Sequence, residues 1–171
     1  MNLSILQANI SDKNIICALG VTTFYEAYFE QDDSHDLANY ALESFGQARI
    51  EAELNDANST FFIAELNGSA VGYAKLRENS EVDCLKNENA VELQRIYILE
   101  RAQRKGVGAR LLNRCLEAAR AKGYETLWLG VWERNSAALR FYEKTGFVKV
   151  GEVRFPYGGT VGTNCVLKIE L

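Results

Sequence analysis

The chain has 171 residues, the size of one domain, and its 47% hydrophobic and 25% charged residues exclude a largely disordered protein. A net charge of -4 argues against a nucleic-acid footprint over the whole surface, and the longest wholly apolar stretch, Ile15 to Val21, is far too short to span a bilayer. That stretch lacks a cleavage-like site and runs on into polar helix-like sequence, so no signal peptide is expected. Cys17, Cys84, Cys115 and Cys165 are scattered and never form C-x-x-C, which points to reduced thiols in a cytoplasmic chain rather than to a disulfide framework or a zinc site.

Leu3 to Ala8 alternates weakly and reads as a short strand. Ser11 and Asp12 are N-cap types ahead of a helical pattern that runs to about Tyr28. A second helical region extends from His35 to Leu54, with a break near Gly46. Two apolar runs, Thr60 to Leu66 and Ala70 to Leu76, flank Asn67-Gly68, a strong hairpin signal because both residues tolerate positive φ. Glu78 to Asn89 reads as a loop and Ala90 to Leu99 as a strand. Gly106 to Lys122 carries a helical apolar period, and Gly123 stands where a left-handed cap would end it. Thr126 to Trp132 reads as a strand, Asn135 to Thr145 as a short helix stopped by Gly146, and Phe147 to Arg154 and Thr163 to Leu171 as two closing strands. The resulting order, β-α-α-β-β-β-α-β-α-β-β, implies a mixed sheet covered by helices, and no linker divides residues 1–171.

Charge is distributed unevenly. Between Glu26 and Asp56 nine acids (Glu26, Glu30, Asp32, Asp33, Asp36, Glu43, Glu51, Glu53, Asp56) face one base, Arg49, a local balance of 1 − 9 = −8. From Arg101 to Arg110 the only charged residues are the bases Arg101, Arg104, Lys105 and Arg110. One region is prepared for a cation, or is simply a solvated helix face; one short loop is prepared for an anion.

That loop lies in Glu92 to Gly108, where a strand enters a basic, glycine-containing turn that opens a helix. Free N–H groups and the positive dipole end at a helix start bind phosphate, and Gly106 and Gly108 let an anion approach the backbone. No Walker loop is present, and Leu111 stands where a dinucleotide fingerprint needs its third glycine.

Gln103-Arg104-Lys105-Gly106-Val107-Gly108 matches the Q/R-x-x-G-x-G/A motif of the GCN5-related N-acetyltransferases (GNAT), and Asn135 followed by Phe141 to Phe147 resembles that family's second acetyl-CoA segment. Within it, Leu93 to Ile98 and Trp128 to Asn135 resemble the PaiA-type polyamine acetyltransferases. The resemblance implies a GNAT-like α/β (α+β) fold, a mixed, mostly antiparallel sheet of about seven strands flanked by four helices. It implies acetyl-CoA as cosubstrate, no metal, and direct acetyl transfer to a primary amine, with spermidine or spermine as the leading acceptor. A protein N-terminus, a lysine or an amino-sugar is the alternative acceptor, and a non-catalytic acyl-CoA sensor is the alternative role. A homodimer is compatible with this reading; nucleic acid and membrane are not among the expected partners.

The resemblance also assigns residues. Gln103, Arg104, Lys105, Gly106, Val107, Gly108 and Ala109 are expected to wrap the pyrophosphate, and the main chain of Ile96, Tyr97 and Ile98 to pair with the pantetheine arm as an added strand. Asn135 is expected to cap a helix and to contact the cofactor, and Lys144 either reaches a phosphate or is a solvated helix-end lysine. Tyr142 is either the general acid for the departing thiolate or a helix aromatic packed on the sheet; a phenol near pKa 10 and a thiol near 8.5 require concerted or environment-assisted transfer. Glu92 is either the general base, acting through water or with a raised pKa, or a cation-binding or surface glutamate. Trp128 and Trp132 share a strand face and fit core packing better than an acyl floor, and His35, the single histidine, fits a surface or capping role. Phe24, Tyr28 and Phe29 are expected to bracket a methylene chain beside the acids.

Overall fold

The computed structural model describes residues 2–157 and 160–171. Seven strands, β1 (Leu3–Gln7), β2 (Ser59–Leu66), β3 (Ser69–Arg77), β4 (Ala90–Ile98), β5 (Thr126–Trp132), β6 (Val148–Tyr157) and β7 (Thr160–Glu170), form one mixed sheet in the order β1-β2-β3-β4-β5-β7-β6. The helices are α1 (Lys13–Tyr28), α2 (Ser34–Phe45), α3 (Gln47–Leu54), α4 (Val107–Ala121) and α5 (Ser136–Lys144). The four helices of the sequence reading become five because Gly46, with extended backbone, ends α2 and opens α3. No helix among the described residues is long and apolar enough to cross a membrane.

The turns follow their local chemistry. Asn67 and Gly68 adopt φ of 53° and 80°, the left-handed pair that a two-residue hairpin needs. Gly123 and Gly146, at φ of 82° and 95°, end α4 and α5. At the first helix Asp12 stands at the N-cap position of α1, as expected, but its side chain caps no N–H of that helix. Ser11 and Asp12 lie inside a single 3-10 turn, and Asn9 caps it, accepting from the Ser11 N–H at 2.9 Å while its own N–H donates to Asp12 Oδ2 at 2.9 Å.

The chain divides into two compact units, Met1–Leu76 with Arg95–Cys115, and Arg77–Gln94 with Leu116–Leu171. In the first, α1 buries Ile16, Leu19, Thr23 and Phe24 at helical spacing, and Leu37, Ala41, Phe45 and Ile50 from α2 and α3 complete that layer. Burying each large side chain contributes about 1.5–3 kcal/mol. In the second unit, β4 and β5 are parallel, with Ala90–Glu92 in register against Thr126–Trp128. There β7 pairs antiparallel with both β5 and β6. Trp128 packs with Val82, Leu85 and Val166, so it is core.

Candidate active site

In the first unit, β4 runs out through Ile96, Tyr97 and Ile98 into the basic loop. Past Ile98 the backbone stays tied to β3, since the Leu99 N–H donates to the Val71 carbonyl at 2.9 Å. A Cβ on Gly72 would lie 2.6 Å from the Tyr97 carbonyl oxygen, so only glycine lets β4 approach this closely. Sequence reasoning missed Gly72; a glycine inside a strand pattern was the available signal. A 3-10 turn, Glu100–Ala102, follows, and its first N–H, from Glu100, donates to Glu26 Oε2 of α1 at 2.9 Å.

The loop then takes an unusual path. Arg104 and Gly106 both lie in the left-handed region, at φ of 58° and 81°. Such a conformation is uncommon for a residue with a side chain such as arginine. Alternating backbone of this kind turns successive N–H groups toward one concavity, and the N-terminus of α4 follows directly. Gln103, Arg104, Lys105 and Gly106 are exposed, Val107 is buried as an anchor, and Gly108 and Ala109 begin the helix surface. A Cβ added to Gly106 would meet nothing within 4 Å, so the space beside its backbone is open, as a diphosphate cradle requires.

Behind β4 lies a charged cluster that the sequence reading did not assemble. Glu53 of α3 is buried and accepts from Arg95 Nη1 at 2.6 Å, Lys75 Nζ at 2.9 Å and Arg49 Nε at 2.7 Å. Arg95 Nη2 adds bonds to Glu53 Oε1 at 3.1 Å and to the Ser44 carbonyl, at the end of α2, at 3.3 Å. Burial opposes ionisation of Glu53, but Arg95 and Lys75 outweigh it and hold the carboxyl below its ordinary value. The two cations also face aromatic rings, Arg95 over Phe45 at 5.2 Å and Lys75 over Phe61 at 5.4 Å. Burial pushes the Tyr97 and Tyr73 phenols well above their ordinary values. Lys75 and Arg95 stand out in otherwise apolar strands, and that was the readable signal.

The acidic region is largely committed to structure. Glu26 holds the Glu100 N–H, Asp33 caps α2, Glu51 pairs with Lys13, Glu53 serves the cluster, and Asp56 caps the turn at Asn58 and Ser59. Asp33 accepts from the backbone of His35, whose exposed position fits the surface role expected of it. Of the three aromatics expected to act together, Phe24 and Tyr28 pack against each other and Phe29 stands apart. Phe24 is buried against Tyr28, Tyr40 and Phe45, whereas Phe29 stacks with Tyr25 on the outside of α1, because a 3.6-residue turn sends them to different faces.

In the second unit, Glu92 of β4 is buried and bound to Arg77, which donates from Nε at 2.8 Å and from Nη2 at 2.7 Å. Glu92 is therefore not a surface glutamate, and its carboxylate is paired with a guanidinium. Asn135 caps α5, its Oδ1 accepting from the Ala138 N–H at 3.1 Å. Tyr142 is buried on α5 with its ring edge-on to Phe141 at 5.2 Å and Phe147 at 5.3 Å. Lys144 is exposed in the last turn. The first unit thus gathers Ile96 to Ala109, and the second carries Glu92, Asn135, Tyr142 and Lys144.

Comparison with known proteins bears on the family and the fold. Residues 21–147 match the family model described as acetyltransferase (GNAT) family. An uncharacterized N-acetyltransferase from the pepI 3' region of Lactobacillus delbrueckii subsp. lactis is 29% identical over 99% of this chain and 98% of that protein. An uncharacterized N-acetyltransferase of Mycobacterium tuberculosis is 30% identical over 95% of this chain and 99% of its own length. Among solved structures, the PaiA N-acetyltransferase of Thermoplasma acidophilum in complex with coenzyme A superposes with a TM-score of 0.81 at 18% identity, covering all of both chains.

Proposed function

The chain belongs to the GNAT family of acetyltransferases and is an N-acetyltransferase; we propose that it transfers acetyl from acetyl-CoA to a primary amine, a polyamine such as spermidine or spermine. The observation that carries the proposal is the left-handed pair Arg104 and Gly106 immediately before α4, with open space beside Gly106. Backbone of this kind, ahead of a helix N-terminus, supports a diphosphate site.

In this reading the N–H groups of residues 103–109 hold the pyrophosphate, with Arg104 and Lys105 adding charge. The Ile96–Ile98 main chain accepts the amide-bearing arm as an extra strand; β4 continues through these residues past its last parallel pair, Glu92 with Trp128. Acetyl-CoA supplies an activated thioester. Backbone N–H groups near Tyr97 or Ile98 polarise its carbonyl oxygen as the amine attacks. The new C–N bond forms as the C–S bond breaks, and Tyr142 donates its phenolic proton at the leaving sulfur. Glu92, held by Arg77, takes the amine's proton through a bridging water. Asn135 and Lys144 contact the cofactor in addition to the structural duties described above. Residues 1–171 act as one cytoplasmic catalytic domain.

Polyamine choice is supported by the acids that keep no other partner among the described residues, Glu30, Asp32, Asp36 and Glu43, which attract an extended cation. A thiol-release screen of amines with acetyl-CoA tests the reading. Spermidine and spermine are expected to release thiol, less so as salt screens the attraction. Release with other amines but with no polyamine at low salt overturns the acceptor assignment.

A further inference from the structure

Resting on that reading, we propose that Gln94 is an acceptor-binding residue, whose Oε1 takes the one N–H that a primary amine keeps through the reaction. Gln94 Oε1 is buried and has no hydrogen-bond partner among the described residues. The great majority of buried polar atoms are paired, because an unpaired one destabilises the folded chain. A donor that arrives with the substrate accounts for this exception.

The strands show where such a donor enters. β4 and β5 stay in parallel register up to Glu92 with Trp128. Two residues further along each strand, Gln94 and Gly130 stand at the same level, and the strand period puts them on the face of Glu92 and Trp128. Gly130 is exposed, although residues 126–129 and Val131 of the same strand are buried. The nearest atoms to a Cβ built on Gly130 belong to the Asn164 side chain, at 3.5 Å and beyond, so the place of the missing side chain is not taken up by another. This face is closed at Trp128, which is 6% exposed, and opens at the level of Gln94.

The chemistry of the transfer leaves one N–H to be held. A primary amine has two N–H bonds and a lone pair. The lone pair forms the new C–N bond as the C–S bond breaks toward sulfur. One proton leaves through the water at Glu92, and the other N–H remains in the product amide. Along β4, Gln94 stands between Glu92 and the residues 96–98 proposed to hold the cofactor arm. Its amide is neutral, so it binds the amine without favouring the ammonium, which has no lone pair to attack with. Arg77 acts in the same direction by pairing with the Glu92 carboxylate. An apolar occupant would leave Oε1 unpaired, and an anion would meet its lone pairs.

Thiol release from acetyl-CoA by the full chain tests this, with n-butylamine and N-methylbutylamine as probes. The secondary amine keeps no N–H in its product. Gln94→Met, of similar length, should lower kcat/KM for n-butylamine by about tenfold, the scale of one buried hydrogen bond, and lower that for N-methylbutylamine far less. Coenzyme A affinity and melting temperature should not fall, because the substitution removes an oxygen that is unpaired in the free protein. Gln94→Glu, of nearly the same shape, favours the ammonium, so its rate should rise only at higher pH than in the wild type. An unchanged preference between the amines, a lower coenzyme A affinity in Gln94→Met, or an unmoved pH profile in Gln94→Glu overturns the proposal. Amine contact is read without turnover as the rise in melting temperature that excess n-butylamine gives the coenzyme A complex. A rise that Gln94→Met abolishes, without thiol release by the wild type, would sink the transfer and leave the contact standing. Thiol release with an unchanged preference would do the reverse, and neither signal would overturn both.

Discussion

Glu53 and Arg95 are joined across α3 and β4 by two hydrogen bonds, Nη1 to Oε2 at 2.6 Å and Nη2 to Oε1 at 3.1 Å, with side chains 8% and 9% exposed. The fork-on-fork geometry and the added Lys75 contact make this a buried network in which removing the single anion strands two cations. Glu53→Gln should therefore destabilise by about 3–5 kcal/mol. The pH dependence has a definite sign. Folding holds the carboxyl below its ordinary value of roughly 4.3, so its contribution is complete above that pH and fades as pH falls through the lowered folded value. Urea unfolding of both proteins from pH 7 downward should show a gap that narrows in acid. A gap that is constant with pH would assign the loss to packing instead.

Gly72 places the Tyr97 carbonyl. Its missing side chain admits β4 to a distance at which a Cβ would sit 2.6 Å from that oxygen and 3.2 Å from Ile98 Cα. Both neighbours are backbone and cannot swing away, so Gly72→Ala must shift the end of β4. The shift should raise the KM for acetyl-CoA by about tenfold or more, because small misplacements of binding groups are costly. Steady-state kinetics with a fixed amine checks this. An unchanged KM in a folded variant would separate the Tyr97 to Ile98 backbone from the cofactor arm.

Gly106 offers the complementary case. An added Cβ there meets no protein atom, and the intrinsic cost of φ near 81° is about 1 kcal/mol. Gly106→Ala should therefore lower thermal stability only slightly while weakening coenzyme A binding by about tenfold, since the methyl would occupy the space proposed for the diphosphate. Calorimetry with coenzyme A, set beside a melting curve, distinguishes the two effects; equal affinity would mean that the left-handed turn serves the chain alone.

Much of this was written in local sequence. Asn67-Gly68, Gly123 and Gly146 announced their turns because φ above zero leaves few residues to choose from. β5 was bounded correctly at Thr126 and Trp132 because a continuous apolar run ends there in charged sequence. The start of the first helix was legible in part: Asp12 is its N-cap residue, but the side-chain capping bonds belong to Asn9 and the 3-10 turn ahead of it, and only the backbone decides between neighbouring residues of capping type. The Glu53 cluster was not legible as a unit. Its members are separated by up to 46 positions from Arg49 to Arg95, and no local pattern reports which buried charges meet. The charge sum over 26–56 was also misleading taken alone, since Lys13, Lys75 and Arg95 arrive from outside that window to neutralise part of it.

The cysteines provide a check that depends on neither substrate nor cofactor. Cys84 is exposed, whereas Cys115 is wholly buried in α4, where burial pushes its thiol up to about 12. Thiolate is the reactive species, so at pH 7.5 iodoacetamide should label Cys84 at least ~100-fold faster than Cys115, which should react only on unfolding. Peptide mass spectrometry over a time course reads this directly, and early labelling of Cys115 would show that α4 opens in the native state.

Tyr142 is the residue on which the proposed chemistry turns. Its ring is fixed edge-on between Phe141 and Phe147, so Tyr142→Phe preserves the packing and removes only the hydroxyl. General-acid catalysis contributes typically ~10²–10⁴-fold, so kcat should fall by at least about a hundredfold while coenzyme A affinity and melting temperature stay near wild type. The leaving-group role also predicts which substrates suffer least. An acetyl donor with a more acidic thiol needs less proton transfer as the C–S bond breaks, so the variant's deficit should shrink with acetyl thioesters of lower thiol pKa. Equal losses of kcat and cofactor affinity, or a deficit indifferent to the leaving group, would make Tyr142 a packing residue and would require another proton donor.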